Sequence, residues 1–211
     1  MIIAIDGFAG TGKSTVADAL AKKICFLHVN SGMLYRAITL HLCKNNITVE
    51  NISSQNERIK LLLEQIDLEN QTYSVEELKQ QKIGDLGALV AQIPFVRKKV
   101  SEELHRIAAN HNVIVDGRDI GTQEFPNADV KFFFVVDTEE RAKRLIAERG
   151  LEFTEENLIK CKKEIEERDQ KDISREISPL RKAPDAIEIN RNSLSVEDTV
   201  SLLCNYIANA S

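Results

Sequence analysis

The sequence predicts an α/β fold in which a parallel β-sheet carries helices on both faces. Five short runs rich in apolar residues alternate along the 211-residue chain with segments of helical periodicity. This alternation is typical of parallel strands that are joined through helices. Several of the runs are apolar without polar alternation, as expected of strands that are buried on both faces. The length accommodates one core domain with small appendages.

The candidate strands share a short length and a high apolar content, and they cover residues 2–6, 26–30, 112–116, 130–137 and 186–190. Apolar residues at helical spacing predict helices at residues 13–24, 33–44, 95–110, 138–149, 154–172 and 195–208. In the first of these helices, Val16, Leu20 and Ile24 form one apolar stripe that is suited to packing against the sheet.

A polar stretch at residues 45–81 interrupts the alternation between the second and third strands. It is rich in Asn, Gln, Ser and Glu. Residues 57–66 have a helical pattern, and residues 66–75 are compatible with a short pair of strands. An insertion of this length predicts a small subdomain or a lid rather than a plain loop.

The composition argues against nucleic acid and membrane partners. The chain has 28 Lys and Arg against 33 Asp and Glu, a net charge of −5, whereas proteins that grip nucleic acid are usually basic. A few arginines can still reverse the local field for a small anion. The longest apolar run, residues 132–136, is far shorter than the roughly 20 residues of a membrane helix. Four scattered cysteines suggest neither a zinc site nor disulfides, so we expect a cytoplasmic protein.

A glycine-rich segment predicts a nucleotide site. Residues 7–14 match the pattern G-x-x-x-x-G-K-[ST] between a buried strand and an amphipathic helix. Backbone N–H groups of such a loop, together with the positive end of the helix, bind phosphates. Lys13 would lie between the β- and γ-phosphates, and the Ser14 hydroxyl suits Mg²⁺. The alternative is a glycine-rich turn without a ligand. The predicted ATP-binding residues are Gly7, Phe8, Ala9, Gly10, Thr11, Gly12, Lys13, Ser14 and Thr15.

Two further segments place charged residues beyond the carboxyl ends of strands, where ligands bind in parallel sheets. Arg36 stands one turn into the helix that follows the second strand and suits a bidentate grip on phosphate, although an ordinary surface arginine is the alternative. The third strand ends in Asp116, which is followed by Gly117, Arg118 and Asp119. This sequence suits a polar cleft better than a core, and an ordinary polar loop is the alternative.

One stripe of the helix at residues 154–172 changes from apolar to charged. Spaced 3, 4, 3, 4 and 3 residues apart, its members are Leu158, Cys161, Ile165, Arg168, Asp172 and Arg175. Arginines at the end of a packed stripe can stabilise a transferring phosphoryl group. The alternative is an ordinary surface pair of Arg168 with Asp172. Together with Arg36 and Arg118, these arginines exceed what one triphosphate requires, so we expect a phosphorylated acceptor.

At these motifs the sequence resembles the bacterial cytidylate kinases (CMP/dCMP kinases), a branch of the P-loop nucleoside monophosphate kinases. The resemblance covers nearly the whole chain, and its segments are residues 7–14, 31–36, 93–97, 116–122, 125–129, 168–175 and 178–180. It implies a three-layer P-loop NTPase fold with a five-stranded parallel sheet in the order 2-3-1-4-5. It also implies a monomer divided into CORE 1–43 with the phosphate loop, a shortened NMP-binding insertion 44–92, CORE 93–147, a short LID 148–179 and CORE 180–211.

The resemblance implies site roles residue by residue. The expected catalytic residues are Lys13, Arg118, Arg168 and Arg175. The expected CMP-binding residues are Ser31, Arg36, Arg97, Arg118, Asp119, Arg168 and Asp172, of which Arg97 and Asp119 read the cytosine and Asp172 binds the sugar hydroxyls. Ser14 is the expected Mg²⁺ ligand, together with waters, and Asp116 is a further candidate. The chain departs from the family at Asn30, where Asp is usual, and at Ala88, where Ser commonly hydrogen-bonds the base.

The implied reaction is the transfer of the γ-phosphoryl group of ATP to CMP or dCMP, with Mg²⁺ as the cofactor. The nearest alternative is another P-loop kinase with a small acceptor such as UMP, AMP or shikimate, against which residues 116–122 and Arg97 argue. An alternative from a different functional class is a nucleotide-dependent switch protein. A GTPase switch would carry the guanine-reading motif Asn-Lys-x-Asp, and the sequence has no such tetrapeptide.

Overall fold

A computed structural model describes residues 1–66, 68 and 73–210. Its sheet has five strands, β1 (Ile2–Gly7), β2 (Leu27–Asn30), β3 (Val113–Asp116), β4 (Val130–Val135) and β5 (Ile187–Asn190). Their order is β2-β3-β1-β4-β5, and β1 pairs in parallel with both β3 and β4, as β4 does with β5. The predicted fold class and strand order are confirmed.

Helices follow the strands in the predicted alternation. They are α1 (Lys13–Ile24), α2 (Ser31–Lys44), α3 (Asn56–Gln65), α4 (Val75–Lys79), α5 (Gln81–Val90), α6 (Pro94–Asn110), α7 (Thr138–Glu148), α8 (Glu155–Ser174) and α9 (Val196–Ala210). Most predicted bounds differ from these by one or two residues. The sequence did not predict α4 and α5 within the insertion. Half of the residues of the strand pair expected at residues 66–75 lie outside the described residues.

One predicted feature of α8 is wrong. The charged stripe was expected to continue on the helix to Arg175, but α8 ends at Ser174 and Arg175 has extended backbone, with φ −63° and ψ 139°. Its guanidinium nevertheless reaches back towards Asp172, with Nη1 4.0 Å from Oδ1. Asp172 and Arg175 therefore come together because the chain leaves the helix after Ser174, and not because they share a helical face.

The chain divides into two compact units. The first comprises Met1–Val29 with His111–Ser211, and the second comprises Asn30–Asn110. The CORE, insertion and LID boundaries expected from the sequence remain predictions. None of the described helices is both long and apolar enough to cross a membrane.

The core of the first unit forms where α1 and α9 pack against the sheet. Ile3 and Ile5 of β1, Leu20 of α1, and Phe132 and Phe134 of β4 are almost fully buried in one cluster. Burial of each such side chain stabilises the fold by about 1.5–3 kcal/mol relative to exposure. This core fixes the carboxyl end of β1, from which the glycine-rich loop emerges.

A smaller cluster in the first unit joins α7 to α8. Ala142 and Ile146 of α7 pack against Cys161 and Ile165 of α8, with Leu158 at the edge. These are the apolar members of the predicted stripe, which therefore faces a neighbouring helix as expected. The packing anchors the first half of α8 and leaves its second half to carry the charged residues.

The second unit has its own core around α2. Ala37 and Leu40 of α2 are buried against Leu78 of α4 and Ile83 of α5. The first turn of α4 begins with a capping box, in which the Ser74 hydroxyl accepts from the Glu77 backbone and the Glu77 carboxylate accepts from the Ser74 backbone. Such reciprocal bonds satisfy two backbone donors that have no partner within the helix.

Candidate active site

The glycine-rich loop connects β1 to α1 with backbone that side chains rarely adopt. Gly7, Gly10 and Gly12 have φ angles of +145°, +74° and +78°, a region that is accessible to glycine at little cost. A Cβ on Gly7 would collide with the backbone carbonyl of Phe134 on β4. The loop can therefore bend tightly over the end of the sheet, and it leads directly into the positive N-terminus of α1.

Lys13, the first residue of α1, is buried against this loop. Its Nζ donates to the carbonyl oxygens of Gly7 and Phe8, both at 2.7 Å. Burial lowers the pKa of Lys13 well below its ordinary value, and the neighbouring charges of Arg118 and Arg168 lower that pKa further. A phosphate placed in the loop would favour the charged ammonium, because an opposite charge nearby raises the pKa of a lysine.

Asp116 lies at the end of β3 with two neighbours. The Ser14 hydroxyl donates to Asp116 Oδ2 at 2.8 Å, and His28 Nε2 lies 2.7 Å from Asp116 Oδ1. Hydroxyl and carboxylate oxygens are the hard donors that Mg²⁺ prefers. Within the described residues no three His, Cys, Asp or Glu side chains group as a metal site. The sequence assigned no role to His28.

Charged residues from the segment after β3 and from the end of α8 meet in the first unit. Arg118 Nε donates to Asp172 Oδ2 at 2.8 Å, and Arg175 lies 3.7 Å from Asp119 Oδ1. The structure thus brings together Arg118, Asp119, Asp172 and Arg175, which the sequence singled out in two segments more than 50 residues apart. Asp172 therefore has a partner outside α8, in the segment that follows β3.

Asp6 is a buried acid next to the candidate site residues, and the sequence analysis assigned it no role. It lies on β1, is only 4% exposed, and accepts backbone hydrogen bonds from Ile120 at 3.0 Å and Gly121 at 2.7 Å. These bonds hold the π-helical turn Ile120–Glu124 that follows Asp119. Burial raises the pKa of Asp6 to about 6 against the lowering effect of the two hydrogen bonds. An acid at the end of an otherwise apolar strand was the available signal.

Two arginines to which the sequence analysis assigned no role donate hydrogen bonds to carbonyl groups of the glycine-rich loop. Arg191 Nη1 donates to the Thr11 carbonyl at 2.7 Å, and its Nε donates to the Thr199 hydroxyl. Burial lowers the pKa of Arg191 to about 10. Arg141 Nη1 donates to the Ala9 carbonyl at 3.2 Å. Two guanidinium groups therefore bind carbonyl oxygens of the loop, while the N-terminus of α1 remains its positive end.

The second unit contains three of the predicted CMP-binding residues, Ser31, Arg36 and Arg97, whereas Arg168 lies on α8 of the first unit. Ser31 is buried at the start of α2, where the Asn30 side chain accepts from the Met33 backbone at 2.9 Å as an N-cap. Arg36 Nη1 donates to the Leu78 carbonyl at 2.6 Å. The buried Arg97 donates to the Ala91 carbonyl at 3.2 Å.

Arg97 and Ala88 have further neighbours within the second unit. The guanidinium of Arg97 lies over the ring of Tyr35, 5.7 Å from its centroid. Ala88, where the family commonly has Ser, is exposed on α5. Asn30 keeps the capping function that an Asp would also perform, so its departure from the family does not disturb the start of α2.

The model of the cytidylate kinase family matches residues 3–209. The chain belongs to the cytidylate kinase family. It is 40% identical to a cytidylate kinase of Carboxydothermus hydrogenoformans, over 98% of this chain and 97% of the relative. It is 37% identical to a cytidylate kinase of Fusobacterium nucleatum with the same coverage. The predicted family, function and enzyme class, a phosphotransferase, are confirmed at this level.

Solved structures agree on the fold. A shikimate kinase from Bacteroides thetaiotaomicron superposes with a TM-score of 0.51 at 15% identity, covering 99% of this chain and 98% of that one. An uncharacterized protein from Eubacterium ventriosum superposes with a TM-score of 0.54 at 15% identity, with the same coverage. At this identity the likeness shows the fold alone, and the relatives of higher identity carry the family.

Proposed function

We propose that this member of the cytidylate kinase family transfers the γ-phosphoryl group of ATP to CMP or dCMP, using the residues described above. The observation that carries the proposal is the concentration of charge in the first unit. A buried lysine on a glycine-rich loop and a group formed by Arg118, Asp119, Asp172 and Arg175 belong to the same compact unit. Such an arrangement suits a reaction between two phosphorylated ligands.

ATP would bind with its phosphates in the loop of residues 7–14. The loop offers backbone N–H groups and the N-terminus of α1, and Lys13 offers a positive charge that can move from the Gly7 and Phe8 carbonyls to phosphate oxygens. Ser14 and Asp116 would hold Mg²⁺ together with water. When bound, the ion neutralises charge on the phosphates.

The acceptor would be held through its phosphate and its sugar. Arg118 and Asp172 touch each other at 2.8 Å, so an arginine for phosphate and a carboxylate for hydroxyl groups stand side by side, as those two parts of a nucleoside monophosphate do. Ser31 and Arg36 are proposed to complete the grip on the phosphate. Arg97 is proposed to read the cytosine together with Asp119.

Transfer needs no covalent intermediate on the protein. The attacking atom is a phosphate oxygen that already carries negative charge, so the side chains act by positioning and by charge stabilisation. Lys13, Arg168 and Arg175 are proposed to face the transferring group, where fixed positive charges favour the transition state over the ground state. Exclusion of water by a closing LID would suppress ATP hydrolysis.

A panel of acceptors tests the proposal. The purified protein is given MgATP with CMP, dCMP, UMP, AMP or shikimate, and ADP release is followed by a coupled assay. We expect CMP and dCMP to be phosphorylated with the highest kcat/KM. Faster transfer to AMP or shikimate would contradict the proposal, as would ATP hydrolysis that is indifferent to every acceptor.

A further inference from the structure

Arg141 joins the glycine-rich loop to α8. It lies in the first turn of α7 and is only 4% exposed. Its Nη1 donates to the Ala9 carbonyl at 3.2 Å and lies 2.7 Å from Asp169 Oδ2. Its Nε donates to the Val136 carbonyl at 3.0 Å. One guanidinium group therefore connects the proposed ATP-binding loop, the residue that follows β4 and a carboxylate of α8.

The contact with the loop extends beyond one hydrogen bond. The Arg141 guanidinium lies 5.4 Å from the centroid of the Phe8 ring, within range of a cation–π interaction. A Cβ built on Gly10 would lie 3.5 Å from the Arg141 Cβ. The arginine thus contacts or closely approaches Phe8, Ala9 and Gly10 in succession, and any displacement of its side chain would displace the loop.

Asp169 brings α8 into the same contact. It is buried on α8, immediately after Arg168, and burial raises its pKa even though Arg141 acts to lower it. Its Oδ1 has no hydrogen-bond partner among the described residues, so Arg141 is the main compensation for burying this charge. A buried ion pair is a weak source of net stability, whereas it does fix the geometry of the groups that carry it.

We propose that Arg141 and Asp169 are positioning residues that hold Arg168 of α8 and the adjoining Arg175 in place relative to the glycine-rich loop during phosphoryl transfer. The proposal rests on the proposed function, because the arginines matter only where a phosphoryl group is transferred. Misplacement of about 1 Å can cost roughly 100-fold in rate when catalysis depends on orientation. Arg168 is the neighbour of Asp169, and Arg175 follows one residue after the helix, so both depend on where α8 is held.

The chain offers a matched control on the same helix. Arg149, the residue after α7, pairs with Glu164 of α8 at 2.8 Å. This pair also spans from the α7 region to α8, but it is exposed to solvent and involves no residue of the loop. The substitutions Asp169→Asn and Glu164→Gln both replace a carboxylate by an amide opposite an arginine. They differ in whether that arginine contacts the loop.

Steady-state kinetics at a temperature well below unfolding provide the first test. Asp169→Asn should lower kcat at least ten-fold with the KM for ATP changed less than three-fold, whereas Glu164→Gln should keep kcat within two-fold of wild type. Arg141→Lys, which keeps the charge but loses the forked donors, should also lower kcat. The double variant Arg141→Lys/Asp169→Asn should be no slower than the slower single variant, because both act through one contact.

Hydrogen–deuterium exchange provides a test that needs no acceptor. Addition of Mg²⁺ and the ATP analogue AMP-PNP should protect the amides of residues 166–174 in wild type and in Glu164→Gln, and this protection should be lost in Asp169→Asn. If Asp169→Asn does not fold, Arg141→Lys replaces it in both measurements.

Three results would overturn the proposal. They are an Asp169→Asn kcat within two-fold of the control, equal protection in the two variants, and no protection in wild type. A merely structural contact would lower the unfolding temperature and leave kcat unchanged. Failure of the proposed function would appear separately, as a wild-type protein that phosphorylates neither CMP nor dCMP while the exchange results still report on the link between the loop and α8.

Discussion

Lys13 is held against its own loop by two short hydrogen bonds, and Arg118 is held by Asp172. Both cations are proposed to exchange these partners for phosphate oxygens. We therefore expect Lys13→Ala and Arg118→Ala each to lower kcat at least ten-fold, a loss of about 1.4 kcal/mol or more in transition-state stabilisation, while the fold survives. A coupled ADP-release assay with saturating CMP measures the effect.

The control for these two substitutions is Lys22→Ala. Lys22 lies on α1 like Lys13, but it is exposed and pairs only with the exposed Asp18 among the contacts described. It should retain the wild-type rate. Rates near wild type in Lys13→Ala or Arg118→Ala would mean that the residue has no part in transfer, and circular dichroism would verify that each variant is folded.

The buried carboxyl group of Asp6 should make the unfolding free energy depend on pH. Its pKa in the folded protein is raised to about 6 from 3.8, so folding favours the protonated form. The corresponding stabilisation is fully present below about pH 4 and is lost as the pH rises through about 6, amounting to about 3 kcal/mol. Between pH 4 and 7, the unfolding free energy of wild type should therefore fall relative to that of Asp6→Asn, by up to about 3 kcal/mol.

Urea unfolding at each pH measures this difference. Asn cannot titrate, so the variant provides the baseline for the other acids of the protein, whose effects cancel in the comparison. Parallel pH profiles for the two proteins would contradict the assigned burial of an ionisable Asp6. Because Asp6 also holds Ile120 and Gly121, we expect Asp6→Asn to weaken CMP binding at every pH.

Individual residues show where inference from the sequence ends. Lys13, Arg118 and Asp172 were predictable because a motif, a polar strand end and a charged helix stripe, respectively, mark them. Arg141 and Arg191 were missed because their partners are carbonyl groups of the loop 132 and 180 residues away. Backbone carbonyls leave no trace in the amino-acid pattern. The one hint was an arginine that precedes Ala142 and Ile146 on the packed side of α7.

In the loop between β1 and α1, a single added methyl group should lower the unfolding free energy strongly. Gly7→Ala would place a Cβ against the Phe134 carbonyl at φ +145°, so strain and collision with β4 add together. Gly150 also has positive φ, +62°, but a Cβ there meets nothing within 4 Å. Urea unfolding without nucleotide should show that Gly7→Ala loses more than about 3 kcal/mol and Gly150→Ala only about 1 kcal/mol. Equal losses would contradict the assigned close approach to β4.

Elements with strong periodicity were predictable, and elements set by tertiary contacts were not. The strands were found because buried parallel strands are continuous apolar runs. The π-helical turn Ile120–Glu124 was not, because its backbone is held by Asp6 from another strand. The position of Arg175 beyond the helical part of the stripe was missed for a related reason. Spacing describes which residues share a face, but it does not say where the chain leaves the helix.

At the scale of the whole molecule, the net charge of −5 and the local charge make opposite predictions for ligand capture. Lys13, Arg118, Arg168 and Arg175 belong to one compact unit, and both proposed ligands are anions. If the local positive charge dominates, it attracts the anionic CMP, and added salt screens this attraction. The kcat/KM for CMP should then fall about three-fold between 20 and 200 mM KCl. The effect on kcat should be smaller, because bound charges at short range are screened less.

The measurement keeps free Mg²⁺ constant and repeats the titration with potassium acetate, so that a specific effect of chloride is separated from screening. The substitution Lys22→Ala should leave the dependence of kcat/KM on salt unchanged, because Lys22 has no contact with Arg118 or Asp172 among the contacts described. Arg118→Ala should weaken this dependence, because it removes one of the attracting charges. A kcat/KM that rises with salt would mean that repulsion from the 33 acids outweighs the arginines. Capture of CMP would then depend on short-range contacts alone, because the field of the molecule would oppose it.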